Sequence, residues 1–420
     1  MEMPFKKCNI LLPKKEINYN LWSVIACDQY TSQLDYWEKV KNLVGENPST
    51  LNLILPEVFL EDENVEERIK EINSNMEKYL KENIFEEYND TMIYLERTDS
   101  TGKVREGLIG KIDLEAYDYN IGSNSLVRAT EKTVIERIPP RKKVRQNALL
   151  ELPHIMILID DEKKNIIESL KNKVSSEDLV YDFDLMLDAG HIKGYKLGSD
   201  TIDEITTGLL SLGELSYFNN KYNVNETNPL LFAMGDGNHS LATAKACWED
   251  IKKELTEEER ENHPARYALV ELVNIHSDAL DFEPIHRVIF KTNASKLIES
   301  LKSYYITNEE GKGQELIYIT KEGEKKLYIE NPRSNLTVGS LQIFLDEYLK
   351  ENEGKIDYIH GDEITRQMGS EEGNISFLLP KMEKSDLFRS VILDGALPRK
   401  TFSMGHSDDK RFYLESRKIK

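Results

Sequence analysis

Cysteine is scarce in this chain: Cys8, Cys27 and Cys247 are the three among 420 residues, and none stands in a CxxC spacing. That excludes a disulfide scaffold and a cysteine zinc site, and it fits a reduced, cytoplasmic protein. No apolar run approaches the roughly 18 residues needed to cross a bilayer. The opening Met1-Glu2-Met3-Pro4-Phe5-Lys6-Lys7 leads into no long apolar stretch, so neither a membrane span nor a secretory leader is expected. A basic surplus is missing too. Lys+Arg 55 against Asp+Glu 75 leaves a formal net charge of −20, which argues against broad binding to nucleic acid or anionic membranes. HExxH, GxSxG, Walker and GxGxxG motifs are all absent, as are internal repeats and low-complexity segments.

What remains is an ordinary globular composition, 39% hydrophobic and 31% charged, on a chain long enough for two or three domains. Helix and strand patterns alternate throughout, which predicts a mixed α/β (α+β) fold. Strands are expected at residues 22–27, 51–56, 154–160 and 266–274, with hairpins over 92–109 and 316–329. Helices are expected at 34–43, 65–82, 202–212, 241–255, 294–305 and 338–349, and a further strand near 356–359. The acidic run 256–261 reads as a solvated helix face. A polar, glycine-containing patch, Asn308-Glu309-Glu310-Gly311-Lys312-Gly313, follows the 294–305 helix. It suggests a main α/β domain over 1–294 carrying the site and a C-terminal α/β subdomain over 295–420. The patch equally suits a loop within one domain.

The densest signal is Leu230-Leu231-Phe232-Ala233-Met234-Gly235-Asp236-Gly237-Asn238-His239-Ser240-Leu241. An apolar run of strand length enters a glycine loop and continues as a helix former, with Ser240 in the N-cap position and Thr243 at N3. Such a loop aims backbone N–H groups at an anion, usually a phosphate. Gly235, Asp236, Gly237, Asn238 and Ser240 are therefore phosphate-binding candidates, and His239 a catalytic one. Asp and Asn also favour turns for their own reasons, so a turn without a ligand is the alternative.

A cationic island stands against the global charge: Arg128, Lys132, Arg137, Arg141, Lys142, Lys143 and Arg145. Arg128, Arg137 and Arg141 suit bidentate grips on phosphate, and Pro139-Pro140 stiffens the backbone before Arg141. Glu131 and Glu136, set among these cations, should be ionised, which makes Glu131 a candidate base or metal ligand. The alternative is a surface element laced with ion pairs. A third cluster, Asn274, His276, His286 and Arg287, lies at and beyond the end of a buried strand, where open α/β sheets place ligands, and supplies substrate-binding candidates. Cys27-Asp28-Gln29-Tyr30 and Leu152-Pro153-His154 occupy comparable positions. Asp28, Glu131 and Asp236 are hard oxygen ligands, so any metal would be Mg²⁺ held partly by a phosphate substrate, with Asp236 the candidate ligand. Nothing in the sequence ties a base to Cys27 as a nucleophile.

With these residues in view the chain resembles the bacterial and archaeal family named domain of unknown function 1015. The resemblance runs nearly full length, from Asn47-Pro48-Ser49 and Leu55-Pro56-Glu57 to Leu397-Pro398-Arg399-Lys400. Where that family usually reads Ala-Asp-Gly-His-His-Arg, this chain reads Gly235-Asp236-Gly237-Asn238-His239-Ser240, so the loop arginine is lost at Ser240. The family's His-Glu-x-Thr segment corresponds to Thr130-Glu131-Lys132-Thr133, and its Pro-x-His-Arg segment is intact as Pro284-Ile285-His286-Arg287. The family is in turn distantly similar to the ParB/sulfiredoxin superfamily, which includes free serine kinases. That resemblance implies a ParB/sulfiredoxin-like nucleotide-binding core with additional α/β subdomains. Sulfiredoxin's loop cysteine is absent, which argues against sulfiredoxin chemistry.

The expected function is phosphoryl transfer from ATP or ADP, with Mg²⁺, to a small hydroxy metabolite such as free serine. Glu131 or Asp28 would accept the acceptor's proton, and His239 would contact phosphate or act as acid/base. The expected partner is a small-molecule substrate, with no nucleic acid and no membrane, and homo-oligomerisation stays open. Two other classes remain: a nucleotide-binding regulatory or scaffold protein, and a hydrolase or transferase acting on another anionic metabolite. All four polar clusters are expected to converge on one pocket.

Overall fold

The strand Tyr267–Asn274 is buried along its whole length, and its side chains alternate between two cores. Leu269 joins Ile93, Leu95 and Ile109 in one, while Ala268, Val270 and Leu272 join Tyr94, Leu108 and Ile112 in the other. This period of two is what a strand covered on both faces requires. The first core is closed by helices Leu34–Val44 and Val65–Lys81 through Trp37, Val40, Ile69, Ile72 and Met76. The second is closed by helices Ser199–Leu212 and Asn238–Ile251 through Ile202, Ile205, Leu241 and Trp248. Spacings of three and four put these residues on one helix face.

The computed structural model describes residues 2–152, 154–404 and 410–420, and it is mixed α/β throughout. The chain divides into two compact units. The first comprises Met1–Ala129, Thr133–Leu280 and His406–Lys420, the second Thr130–Lys132 and Asp281–Gly405. The C-terminal tail belongs to the first unit.

In the first unit one sheet orders its strands Leu179–Asp184, His191–Lys196, Ile93–Thr98, Val104–Asp113, Tyr267–Asn274, Met156–Ile159, Phe232–Asp236, Val127–Arg128 and Tyr117–Asp118. Tyr267–Asn274 runs parallel to Met156–Ile159, whereas Phe232–Asp236 runs antiparallel to it. In the second unit a sheet of Thr307–Asn308, Gly323–Ile329, Gln314–Thr320, Ile375–Leu378, Phe282–Phe290 and Lys355–His360 lies over a core of Leu297, Leu301, Leu316, Leu341, Phe344 and Phe377. No described helix is long and apolar enough to cross a membrane.

Three local expectations need correction. Residues 22–27 form no strand: a helical turn, Tyr19–Trp22, is capped by the Asn18 side chain, and the apolar run beyond it makes a single bridge, Ile25 to Phe412. Burial without regular pairing explains the misreading. Residues 51–56 begin as a 3₁₀ turn, Thr50–Leu53, because the Ser49 hydroxyl accepts from Leu51 N–H (3.2 Å). The third correction concerns the glycine-loop helix: Ser240 is not its N-cap. The helix starts at Asn238 with Gly237 in the cap position and ends at Ile251, followed by a 3₁₀ turn, Lys252–Glu254.

Candidate functional site

The glycine loop begins with a register slip. Ala233 opposes Leu158 and Met234 opposes Ile157, but Asp236 opposes Met156, so Gly235 is an extra residue that turns the strand end. A Cβ on Gly235 would stand 3.0 Å from Leu158 Cγ and 3.2 Å from Met156 O. Gly237 follows in the left-handed region (φ +74), where a Cβ would also meet Ile155 Cα at 3.0 Å. This turn carries the chain directly into helix Asn238–Ile251, which no described side chain caps. Gly237 N–H is taken by Asp236 Oδ1 (2.8 Å), and Leu241 N–H by Gly237 O (3.0 Å). The N–H groups of His239 and Ser240, in the first turn, have no intrahelical acceptor.

Cations surround this helix start. Lys410 Nζ lies 3.1 Å from Asp236 Oδ2. Burial would raise the Asp236 carboxyl, but Lys410 and the Gly237 N–H hold it below the usual carboxylate range. Arg137, exposed at the end of the turn Ile135–Arg137, makes no side-chain hydrogen bond to any described residue. Pro139 and Pro140 sit in the first turn of helix Ile138–Arg145, and Arg141 on that helix donates to Glu57 Oε1 (2.8 Å) and to Arg137 O (2.8 Å). His239 registers the sum of these charges. Burial, then Arg141 and Arg137, push its imidazole down to about 4, with Asp28 opposing. At neutral pH it is uncharged, and Val134 N–H donates to its Nε2 (3.4 Å).

Beside the cations runs a chain of hydrogen-bonded groups. Ser240 Oγ is 2.9 Å from His154 Nε2, and His154 Nδ1 is 2.7 Å from the Tyr413 hydroxyl. Cys27 N–H donates to Tyr413 Oη (3.1 Å), and Asp28 Oδ2 is 3.6 Å from His154 Nε2. Burial keeps the Tyr413 phenol protonated and pushes the Cys27 thiol up, so neither ionises near neutrality. We assign the phenol proton to the bond with Nδ1, which leaves the ring proton on Nε2, facing Ser240 and Asp28.

Asp28, Arg137, Arg141, Asp236, His239 and Ser240 are therefore brought together, and Asn238 joins them through its Oδ1, which accepts from the Tyr117 hydroxyl (3.4 Å). Other candidates are built into the fold. Arg128 is buried and donates to Ser125 O (2.8 Å), Asn124 Oδ1 (3.1 Å) and Asn228 O (3.1 Å). Asn274 donates to Asp161 O (2.8 Å) and Glu168 Oε1 (2.9 Å). It pairs with Ile159 while Asp236 pairs with Met156, so the two flank one strand and are offset along it by about 10 Å at ~3.3 Å per residue. His276 follows Asn274 at that end, its Nε2 2.6 Å from Asp160 Oδ1.

Glu131, His286 and Arg287 belong to the second unit. Glu131 forms a parallel bridge with Leu397. His286 Nδ1 accepts from Leu379 N–H (3.1 Å), which leaves its Nε2 proton for Asp362 (3.0 Å). Arg287, 0% exposed, donates to Gln342 Oε1 (3.1 Å), Lys400 O (2.8 Å) and Arg399 O (3.2 Å). Burial lowers its guanidinium to about 10.

The Mg²⁺ expectation meets a donor set that does not fit it. Asp236 already faces Lys410 and a backbone N–H, and the metal-competent cluster among the described residues lies elsewhere, at Asp160, Glu162 and His276. Even there Lys221 stands 2.9 Å from Asp160 and 3.5 Å from Glu162. Glu57 enters the sequence reading only within Leu55-Pro56-Glu57, with no role given to it. Lys410 and Tyr413 sit in no motif, and only the return of the tail brings them to the loop. His154 was flagged by its place at a strand start; its neighbour Pro153 lies outside the described residues.

The family described as Protein of unknown function (DUF1015) matches residues 11–348. No curated protein matches the chain significantly. Among solved structures, the chain is similar to a free serine kinase mutant in complex with ADP, at 11% identity and TM-score 0.38, over 76% of this chain and 93% of that one. It is also similar to a conserved hypothetical protein from Pyrococcus furiosus, at 12% identity and TM-score 0.35, over 76% and 96%. A third is C-terminally truncated SbnI from Staphylococcus aureus, at 8% identity and TM-score 0.36, over 71% and 82%. The match over residues 11–348 is most of the chain, and the chain belongs to the DUF1015 family.

Proposed function

We propose that this DUF1015 member binds a nucleotide or related phosphate at residues 235–240 and transfers a phosphoryl group to a small hydroxy metabolite. One observation carries the reading: in a chain of net charge −20, helix Asn238–Ile251 starts without a side-chain cap behind left-handed Gly237, and Lys410 stands at the same loop, 3.1 Å from Asp236. Backbone N–H groups and a helix dipole at that spot favour an anion there, and Arg137 and Arg141 add positive charge near it. Phosphoryl transfer depends mainly on such positioning and charge stabilisation.

In the proposed reaction the acceptor oxygen bonds to the terminal phosphorus of ATP or ADP. The bond from that phosphorus to its bridging oxygen breaks, and the nucleotide leaves one phosphoryl group shorter. The acceptor's hydroxyl proton passes to the Asp28 carboxylate, whose Oδ2 lies 3.6 Å from His154 Nε2. Arg137 and Lys410 neutralise the developing charge. His239, uncharged at pH 7, contributes a hydrogen bond rather than a cation. No step is routed through Mg²⁺, because Lys410 stands where the cation would meet Asp236. Free serine, implied by the sequence resemblance, is the first acceptor to test.

The test is turnover: purified protein with ATP or ADP and a panel of hydroxy metabolites, followed by phosphorus NMR, on the wild type and Asp28→Asn. A phosphorylated acceptor, with a loss on the order of 10²–10⁴-fold in the variant, supports the reading. Clear nucleotide binding without turnover on any acceptor would replace it with the regulatory one.

A further inference from the structure

Between helix Val65–Lys81, helix Ile138–Arg145 and the glycine-loop helix lies a cavity of about 150 Å³. Its body is apolar, lined by Leu55, Leu60, Met76, Val144, Leu150 and Ile155. At one end it meets Cys27, His154, Ser240 and Tyr413, the hydrogen-bonded chain described above. Half-buried Leu60, Arg141 and Val144 form its rim. The charged side chains on its wall are matched: Arg141 donates to Glu57, and Arg145 to Glu151 (2.6 Å).

We infer that this cavity receives an uncharged, apolar body of about the size of benzene carrying a hydroxyl, which lies against Ser240 and His154. Its volume is roughly that of an apolar protein cavity able to hold benzene. An occupant gains by removing apolar surface from water. A zwitterion such as serine would instead leave an ammonium and a carboxylate desolvated on a wall whose charges already have partners. The ring proton on His154 Nε2 faces Ser240 Oγ, so the Ser240 hydroxyl proton is directed to the occupant's oxygen. Asp28, the base of the proposed transfer, is next to the lining residue Cys27, with its Oδ2 3.6 Å from His154 Nε2. The inference rests on the phosphoryl-transfer reading only in calling the occupant the acceptor; occupancy itself is independent of it.

The probe is 4-fluorobenzyl alcohol, titrated against the full chain and followed by fluorine NMR. Saturable broadening is expected, undisturbed by excess serine, and weakened by about tenfold or more when Ala148, a buried wall residue, is replaced in Ala148→Phe. Val144→Trp, at the rim, provides a second variant should Ala148→Phe misfold. Nucleotide binding is read separately by thermal shift on the same samples. Alcohol binding without nucleotide binding supports the cavity and removes its role as an acceptor site. Nucleotide binding without alcohol binding overturns this inference alone. Competition by serine, or unchanged alcohol affinity in both folded variants, also overturns it.

Discussion

Arg411 Nη1 lies 2.6 Å from Glu271 Oε2 in the middle of the first unit's sheet, and Arg105 Nε lies 3.1 Å from the other oxygen of the same carboxylate. Glu271 is 0% exposed. Arg411 also reaches Glu415 (2.5 Å), so the pair anchors the C-terminal tail to the central strand. From that anchor Lys410 reaches Asp236 and Tyr413 reaches His154. A tail remote in sequence thereby supplies one cation and one phenol to the glycine loop.

Replacing the anchor, Glu271→Gln, leaves buried Arg105 facing an uncharged amide and Arg411 with Glu415 as its remaining carboxylate. The expected loss is about 3–5 kcal/mol of stability, read by urea unfolding. A loss below about 1 kcal/mol would mean that the tail is held by its apolar contacts instead.

Lys410→Met removes the cation that holds Asp236 low. With the carboxyl depressed in the folded state, the pair's contribution is present above the unfolded value of 3.8 and is lost as pH falls through the folded value. The variant is therefore expected to lose stability mainly above pH 4 and to converge on the wild type below it. Thermal melts across pH 3–7 check this, and a constant difference at all pH values would contradict it.

Gly237→Val is expected to damage the fold as well as the site. Positive φ and a Cβ 3.0 Å from Ile155 Cα both oppose it, and a cost of about 2 kcal/mol or more is expected. A melting temperature within a degree of wild type would show that the turn relaxes. Arg137, whose side chain makes no hydrogen bond to a described residue, is the better position for removing binding without unfolding.

His239 gives the opposite pH signature to a paired histidine. Its folded value, about 4, lies below 6.5, so stability due to the neutral ring is full above pH 6.5 and declines as pH falls towards 4. One proton limits the slope to about 1.4 kcal/mol per pH unit. His239→Gln should flatten that part of the curve relative to the wild type. An unchanged difference between pH 4 and 6.5 would place the imidazole in a solvated setting.

The sequence reading recovered what rests on periodicity. The two-sided burial of Tyr267–Asn274, the hairpin of Ile93–Thr98 with Val104–Asp113 and the 3.6-residue pattern of Val65–Lys81 are all local properties of the chain. The glycine loop was legible for the same reason. The fate of single polar residues was not. Arg128 and Arg287 look like ligand arginines in a string of letters, yet both turn inwards to bind carbonyl oxygens supplied by distant loops. Asn274 ends its strand at the level of Ile159 and Asp236 at that of Met156, because Tyr267–Asn274 and Phe232–Asp236 run in opposite directions beside Met156–Ile159. Lys410 and Tyr413 carried no signal, since their roles arise only when the tail pairs with Glu271.

The most direct test of the central claim is calorimetric titration of the full chain with ADP and ATP at low ionic strength, in wild type and Arg137→Ala. Saturable binding is expected, weakened about tenfold in the variant with its melting temperature unchanged, because Arg137 supplies charge to the helix start and no side-chain hydrogen bond to the described fold. Absence of binding in the wild type, or equal affinity in both proteins, would contradict an anion site at the start of helix Asn238–Ile251.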